Sequence, residues 1–212
     1  EYTYFRKIPG FIWFWCQTPP ASGGETPVGD MHGVLERLDP TLIERFDRLG
    51  VRYIYNLHGG NGFGRGWRES FGTDDRATVE QWLESNTVEY RWQTDGTLSM
   101  KLFGPGLRTH DRSGIRVWGN QVVNWHVVAL GKAVAERMRR IYKQDEQLPK
   151  HATFGDGSPI PDIDIARMMA ALAAEERAFT WQAGDIMLCD NQRIAHGRRP
   201  FTGQRRVLVA LA

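Results

Sequence analysis

Asp185-Ile-Met-Leu-Cys-Asp190 and Arg206-Val-Leu-Val-Ala-Leu211 flank the basic stretch Asn191-Gln-Arg-Ile-Ala-His196-Gly-Arg-Arg-Pro-Phe-Thr-Gly-Gln-Arg205 near the end of the chain. Both flanks are short apolar runs of strand length, and the segment between them carries Gly, Pro and Asn. The pattern predicts two antiparallel strands joined by a basic turn. Outward from there, Phe11-Ile-Trp-Phe-Trp-Cys16 reads as a buried strand, because it is short, aromatic and β-branched, and bounded by Pro and Gly. Val51-Arg-Tyr-Ile-Tyr-Asn-Leu57 alternates with period two, as a half-buried strand does. Further strands are expected over 88–93, 98–103 and 115–118. Helices are expected from Asp30 to about residue 38, from Pro40 onward, from a Thr73 or Asp74 cap to about residue 85, over 133–142, and over 163–179 behind Asp162. In the third of these, Val79, Trp82 and Leu83 share the expected apolar face. Strands lie at both ends and helices in the middle, without βαβ alternation or repeat. A mainly β, α+β fold follows, an antiparallel sheet carrying helical insertions.

The 212 residues predict a single domain over 1–212, with 41% apolar and 11% aromatic residues to fill its core. Lys plus Arg number 27 against 25 Asp plus Glu, a net charge of +2 that points to no nucleic-acid or membrane partner. The one basic cluster, Arg193, Arg198, Arg199, Arg205 and Arg206, is short and has Asp185 and Asp190 beside it. No apolar run approaches the roughly 18–20 residues a bilayer span requires. Cys16 and Cys189 are the only cysteines; set in apolar runs, they read as buried thiols of a reducing, cytoplasmic compartment. The chain opens on Glu1 without Met or a signal peptide, and is expected to be part of a longer protein.

Residues 59–66 hold five glycines but no Gly-Lys-Ser/Thr ending, and are expected to form a mobile surface loop rather than a phosphate cradle. Trp67, beside it, is the tryptophan placed to cover a ligand. His196 closes one predicted strand and Arg206 opens the next, ten residues on. With both side chains inward, an anion on a His196-bound metal could extend its far carboxylate to Arg206, whose planar fork suits that task.

These residues belong to an ordered set: Gly23-Gly-Glu-Thr-Pro27, Phe154-Gly-Asp-Gly-Ser-Pro-Ile160, Trp181-Gln-Ala-Gly-Asp185, and Asp190-Asn191 through His196-Gly-Arg to Arg205-Arg206. The set resembles the taurine dioxygenase/TfdA-like group of Fe(II)- and 2-oxoglutarate-dependent oxygenases, and within it the syringomycin-type hydroxylases of nonribosomal peptide biosynthesis. The resemblance implies a clavaminate synthase-like double-stranded β-helix, or jelly roll. It makes His196 the distal iron ligand, Glu1 the carboxylate ligand, and Thr26 and Arg206 the residues holding the distal carboxylate of 2-oxoglutarate. The family's first histidine falls two positions before Glu1, so the first strand is expected upstream of the chain as given.

The resemblance further places Asn120, Gln121 and Arg198 near the substrate. Each has a plainer structural alternative, as a satisfied core amide or a solvated arginine. His126 and Asp156 read first as a structural histidine and a turn residue, and Arg199 either as a substrate contact or as solvated. Residues 59–66 and 143–160 are the expected lid. The implied partners are dioxygen and a small molecule, an amino acid or peptide-like substrate, free or on a carrier protein. The implied reaction hydroxylates an unactivated C–H bond and gives succinate and CO2. Desaturation or cyclisation is the variant outcome; a carboxylate at Glu1 argues against halogenation. The competing readings are a non-catalytic jelly-roll binding protein with a degenerate metal site, and a cupin of other chemistry.

Overall fold

A computed structural model describes Thr3 and residues 8–212. The chain divides into two compact units, one of Glu1–Arg48, Pro105–Asn120 and Arg167–Ala212, the other of Leu49–Gly104 and Gln121–Ala166. Every strand ladder between named strands is antiparallel, and helices are interspersed among them, so the fold is mixed helix and sheet.

In the first unit Phe11–Thr18 runs between Ile186–Asp190 and Arg206–Leu211. Strand alternation sends Ile12, Phe14 and Cys16 to one face, where they pack with Trp181, Cys189 and Val207. Trp13 and Trp15 take the other face and stay exposed, opposite Leu188 and Ile186 on one neighbour and Ala210 and Leu208 on the other. Beside this sheet, Val28–Asp30 pairs with Ile194–His196, and Ser22–Gly23 with Phe201–Thr202. The second pairing needs a glycine: Gly23 has φ +68°, and a Cβ there would lie 2.3 Å from the Pro200 carbonyl oxygen. Asp30 accepts the His32 N–H at 3.0 Å and so caps Met31–Glu36. The same carboxylate receives the Arg193 fork through Nε and Nη2 at 2.9 and 2.5 Å. That guanidinium, chiefly through its hydrogen bonds, holds the Asp30 carboxyl below the ordinary range.

The second unit is built on a four-stranded sheet in the order Glu89–Trp92, Leu98–Gly104, Val51–Leu57, Lys150–Phe154. Leu57, Trp67, Val79, Leu83, Leu98 and Met100 form its core. Trp67 is therefore a core residue rather than a ligand cover: it is fully buried, with its ring edge on Trp92 at 5.2 Å. Trp82 leaves the face shared by Val79 and Leu83 and lies half-exposed against Phe71. The stretch 143–160 is not a lid as a whole, because Lys150–Phe154 is an integral strand with four buried residues. That strand escaped the sequence reading because Lys-His-Ala-Thr-Phe has no period-two alternation. The expected helix over 163–179 runs from Asp162–Glu175, ending where Arg177 exchanges backbone hydrogen bonds with Val28.

The helix Arg76–Ser85 is capped one or two residues later than its sequence suggests. Asp75 accepts from Ala77 and Thr78 backbone N–H groups at 3.0 and 3.2 Å, while Thr73 Oγ1 accepts the Asp75 N–H. Those bonds hold the exposed Asp75 carboxyl below its usual range, the Thr78 hydroxyl contributing most. Asp75→Ala should lower the urea midpoint at unchanged slope, by removal of the helix cap; an unchanged midpoint would show the cap to be idle.

Candidate active site

The polar cluster of the first unit is centred on Thr26, which is 1% exposed. The Trp181 indole Nε1 donates to Thr26 Oγ1 at 3.1 Å, and Arg205 Nη2 donates to the same oxygen at 3.3 Å. Arg205 Nε donates to the Gly24 carbonyl oxygen at 2.9 Å. The guanidinium is thus fixed by neutral acceptors, and among the described residues it forms no ion pair with a carboxylate. Burial first, and the charge of Arg198 second, pull it below the ordinary guanidinium value. Arg198 and Arg205 both lie over the Phe201 ring, at 5.7 and 5.8 Å from its centroid. Two cations thus share aromatic support, and among the described residues neither is ion-paired with a carboxylate, an arrangement whose charge favours an anion.

His196 lies on the ladder that carries Thr26. It pairs with Val28, and the ladder continues through Gly197 N–H to Pro27 O and Arg199 N–H to Glu25 O, at 2.9 and 3.0 Å. The imidazole meets the edge of Phe14, with ring centroids 5.1 Å apart. Phe14 and Cys16 share the inward face of the central strand, and Val207 opposes Cys16. The same alternation decides between the two arginines at the strand head. Counting back from inward Val207 sends Arg205 inward and Arg206 outward. Arg206 is accordingly exposed, paired through its backbone with Thr18, and Arg205 is the guanidinium at Thr26.

The remaining expectations distribute as follows. Glu1 lies outside the described residues. Among those residues no group of three His, Cys, Asp or Glu side chains is gathered to hold a metal ion. Asn120 is buried in the first unit and its amide donates to the Gly106 carbonyl at 2.6 Å. Gln121 belongs to the second unit, where its backbone N–H donates to Tyr53 Oη at 3.0 Å. Arg198 is exposed and, of the three expected substrate contacts, is the one placed with Arg205. Asp190 and Asn191 serve the scaffold. Asp190 receives Arg112 and lies 2.9 Å from His110 Nε2, and the Asn191 amide donates to Pro9 O at 2.9 Å. Arg205 and the Trp181 indole are the contributors that spacing alone did not single out.

Comparison with known proteins gives the family of the chain. Residues 1–211 match the model of the taurine catabolism dioxygenase TauD, TfdA family. The chain is similar to the dapdiamide synthesis protein DdaC of Enterobacter agglomerans, at 34% identity over 211 residues covering all of this chain and 63% of that protein. It is also similar to a clavaminate synthase-like protein of Arabidopsis thaliana, at 31% identity over 220 residues and again 63% of that protein. Among solved structures it resembles AAD-2 in complex with Mn(II) and N-oxalylglycine, with a TM-score of 0.55 and 13% identity over 100% of this chain and 66% of that one. The last likeness speaks for the fold. The chain belongs to the taurine catabolism dioxygenase TauD, TfdA family. It spans 63% of the length of the two curated relatives.

Proposed function

We propose that this chain carries the 2-oxoglutarate site and the distal metal ligand of an Fe(II)- and 2-oxoglutarate-dependent dioxygenase. The observation that carries the reading is the hydrogen-bond state of Thr26. A hydroxyl has two lone pairs and one proton. Trp181 and Arg205 both donate to Thr26 Oγ1, so its own proton is left to seek an acceptor, beside a partly buried cation without a carboxylate partner among the described residues. A carboxylate satisfies the O–H and the guanidinium together. The distal carboxylate of 2-oxoglutarate is the group that the family, and the N-oxalylglycine bound to AAD-2, bring to mind for that position.

The residues present fit the anion directly. For the metal they offer the imidazole of His196, with Glu1 carried over from the family pattern as its partner. When bound, iron supplies the oxidising centre at which dioxygen and 2-oxoglutarate yield succinate, CO2 and an oxygenated product. Arg205 and Thr26 fix one end of the cosubstrate, and Trp181 locks the hydroxyl's direction. Phe14 holds the imidazole plane, and the apolar Phe14–Cys16–Val207 floor keeps water from its base.

For substrate, the resemblance to syringomycin-type hydroxylases and the likeness to a protein of dapdiamide synthesis support an amino acid or amino-acid-derived molecule, free or carrier-tethered, hydroxylated at an unactivated C–H. Arg198 is our assignment for an anionic group of that substrate. Anaerobic titration with Fe(II) and 2-oxoglutarate should develop a saturable, weak visible charge-transfer band. Protein that binds neither, in a chain extended upstream to supply the family's first histidine, would leave the binding-protein reading in its place.

A further inference from the structure

The second unit contains a separate cavity of about 370 Å³, in the size range of small-ligand pockets. Its wall is aromatic, with Tyr55, Trp125 and Phe63 among the lining residues, and its cations are Lys150 and Arg65. No Asp or Glu lines it. Lys150 and Tyr55 sit opposite each other in the ladder between Lys150–Phe154 and Val51–Leu57, so the register delivers the ammonium to the ring. Its Nζ lies 5.2 Å from the Tyr55 ring centroid and 5.3 Å from that of Trp125. Among the described residues the Lys150 ammonium makes no side-chain hydrogen bond or ion pair; exposed at the cavity mouth, it is held by the two rings. Arg65 is near enough for its charge to depress the Lys150 ammonium, after the effect of burial; Arg65 and its partner Glu69, with 3.1 Å between Nε and Oε1, are both exposed at the cavity rim.

Lys150 and Arg65 line one aromatic cavity, and an anion between them would relieve their mutual repulsion. The composition selects among anions. A phosphate seeks several converging donors, such as backbone N–H groups at a helix start or a glycine cradle. Here the glycine loop folds onto its own histidine instead: His58 Nε2 lies 3.1 Å from Gly64 O, and a Cβ at Gly62 would lie 2.8 Å from the His58 ring. The cavity offers two point charges and a large apolar wall. We propose that it binds a monocarboxylate with an aromatic-sized apolar body, the carboxylate held by Lys150 and Arg65 and the body lying along Trp125 and Tyr55.

The proposal does not rest on the oxygenase reading, and its test separates the two. Phenylacetate, titrated into the full chain with Trp fluorescence and calorimetry as readouts, should bind saturably. Lys150→Gln and Arg65→Gln should each weaken it about tenfold or more. Lys150 stands at the mouth rather than in the core, and the circular dichroism of its variant should be unchanged. Arg205→Gln should leave phenylacetate affinity as it was while impairing 2-oxoglutarate binding. Binding that survives Lys150→Gln, or that is lost with Arg205→Gln, would overturn the assignment. So would inorganic phosphate binding as tightly as phenylacetate, since the apolar wall would then contribute nothing.

Discussion

Arg205→Gln raises the 2-oxoglutarate concentration needed for half-maximal turnover by about 30-fold or more, and Arg206→Gln leaves it within about twofold. The expectation follows from the different surroundings of two adjacent arginines. Arg205 is held by Gly24 O and Thr26 Oγ1 and is partly buried, with no carboxylate ion pair among the described residues. Removing one partner of a desolvated charge pair costs about 2–5 kcal/mol, because the carboxylate left behind is desolvated and unmatched. Arg206 points into solvent, where an ion pair contributes about 0–1 kcal/mol. Glutamine keeps most of the side-chain length and one donor toward Gly24, so the fold should survive. A conservative Arg205→Lys should recover part of the loss but not all of it, since an ammonium cannot bridge Gly24, Thr26 and a carboxylate in one plane. If Arg206→Gln produced the large rise instead, the strand-parity argument would be wrong and the resemblance-based choice right.

That pair of arginines shows where the sequence was readable. The strands Phe11–Thr18, Val51–Leu57, Ile186–Asp190 and Arg206–Leu211 all announce themselves by apolar runs between turn residues, and our proposal for His196 and Thr26 rests on the family pattern. Our proposal of Arg205 rests on the parity of the last strand: Cys16 is inward, Val207 opposes it, and two steps back from Val207 is Arg205. Parity was obscured by the irregularity between Cys16 and Thr18, which breaks simple counting at that end of the ladder. Lys150–Phe154 was illegible for a different reason. Its buried residues alternate in neither period, because His151 through Phe154 are all covered on both faces. Trp67 was misread because a tryptophan after five glycines looks exposed by composition. Its burial comes from long-range packing against Trp92, which no local window contains. The polar pair Asn120-Gln121 was legible as polar but not as divided, one residue in each compact unit.

The same strand supplies the other large effect, loss of stability on mild acidification. His151 is buried, and burial is the main cause that pushes its imidazole down to about 4; its Nδ1 finds no hydrogen-bond partner among the described residues. The neighbouring His126, its ring centroid 5.6 Å away, disfavours a second charge and is itself shifted down, chiefly by burial. Asp145 would favour the cation, but it is already gripped by Arg139 through Nε at 3.1 Å and Nη2 at 2.9 Å. In the unfolded chain the imidazole takes up its proton near pH 6.5. Between pH 6.5 and 4 the unfolded state therefore binds more protons than the folded one, and stability falls as pH falls. The stabilisation is complete above the unfolded value, drains through that window, and amounts to about 3 kcal/mol for His151, with His126 adding in the same direction. Urea midpoints measured across pH 7 to 4 should drop steeply for the parent chain. In His151→Leu the slope should become clearly shallower, whatever the substitution does to stability at pH 7. The difference between the two slopes is the decisive reading, because the carboxylate paired with Arg193 lies apart from His151 and cancels in the comparison. A slope equal to that of the parent would mean that His151 titrates as an ordinary, solvated histidine and that the cover over this strand is open to water.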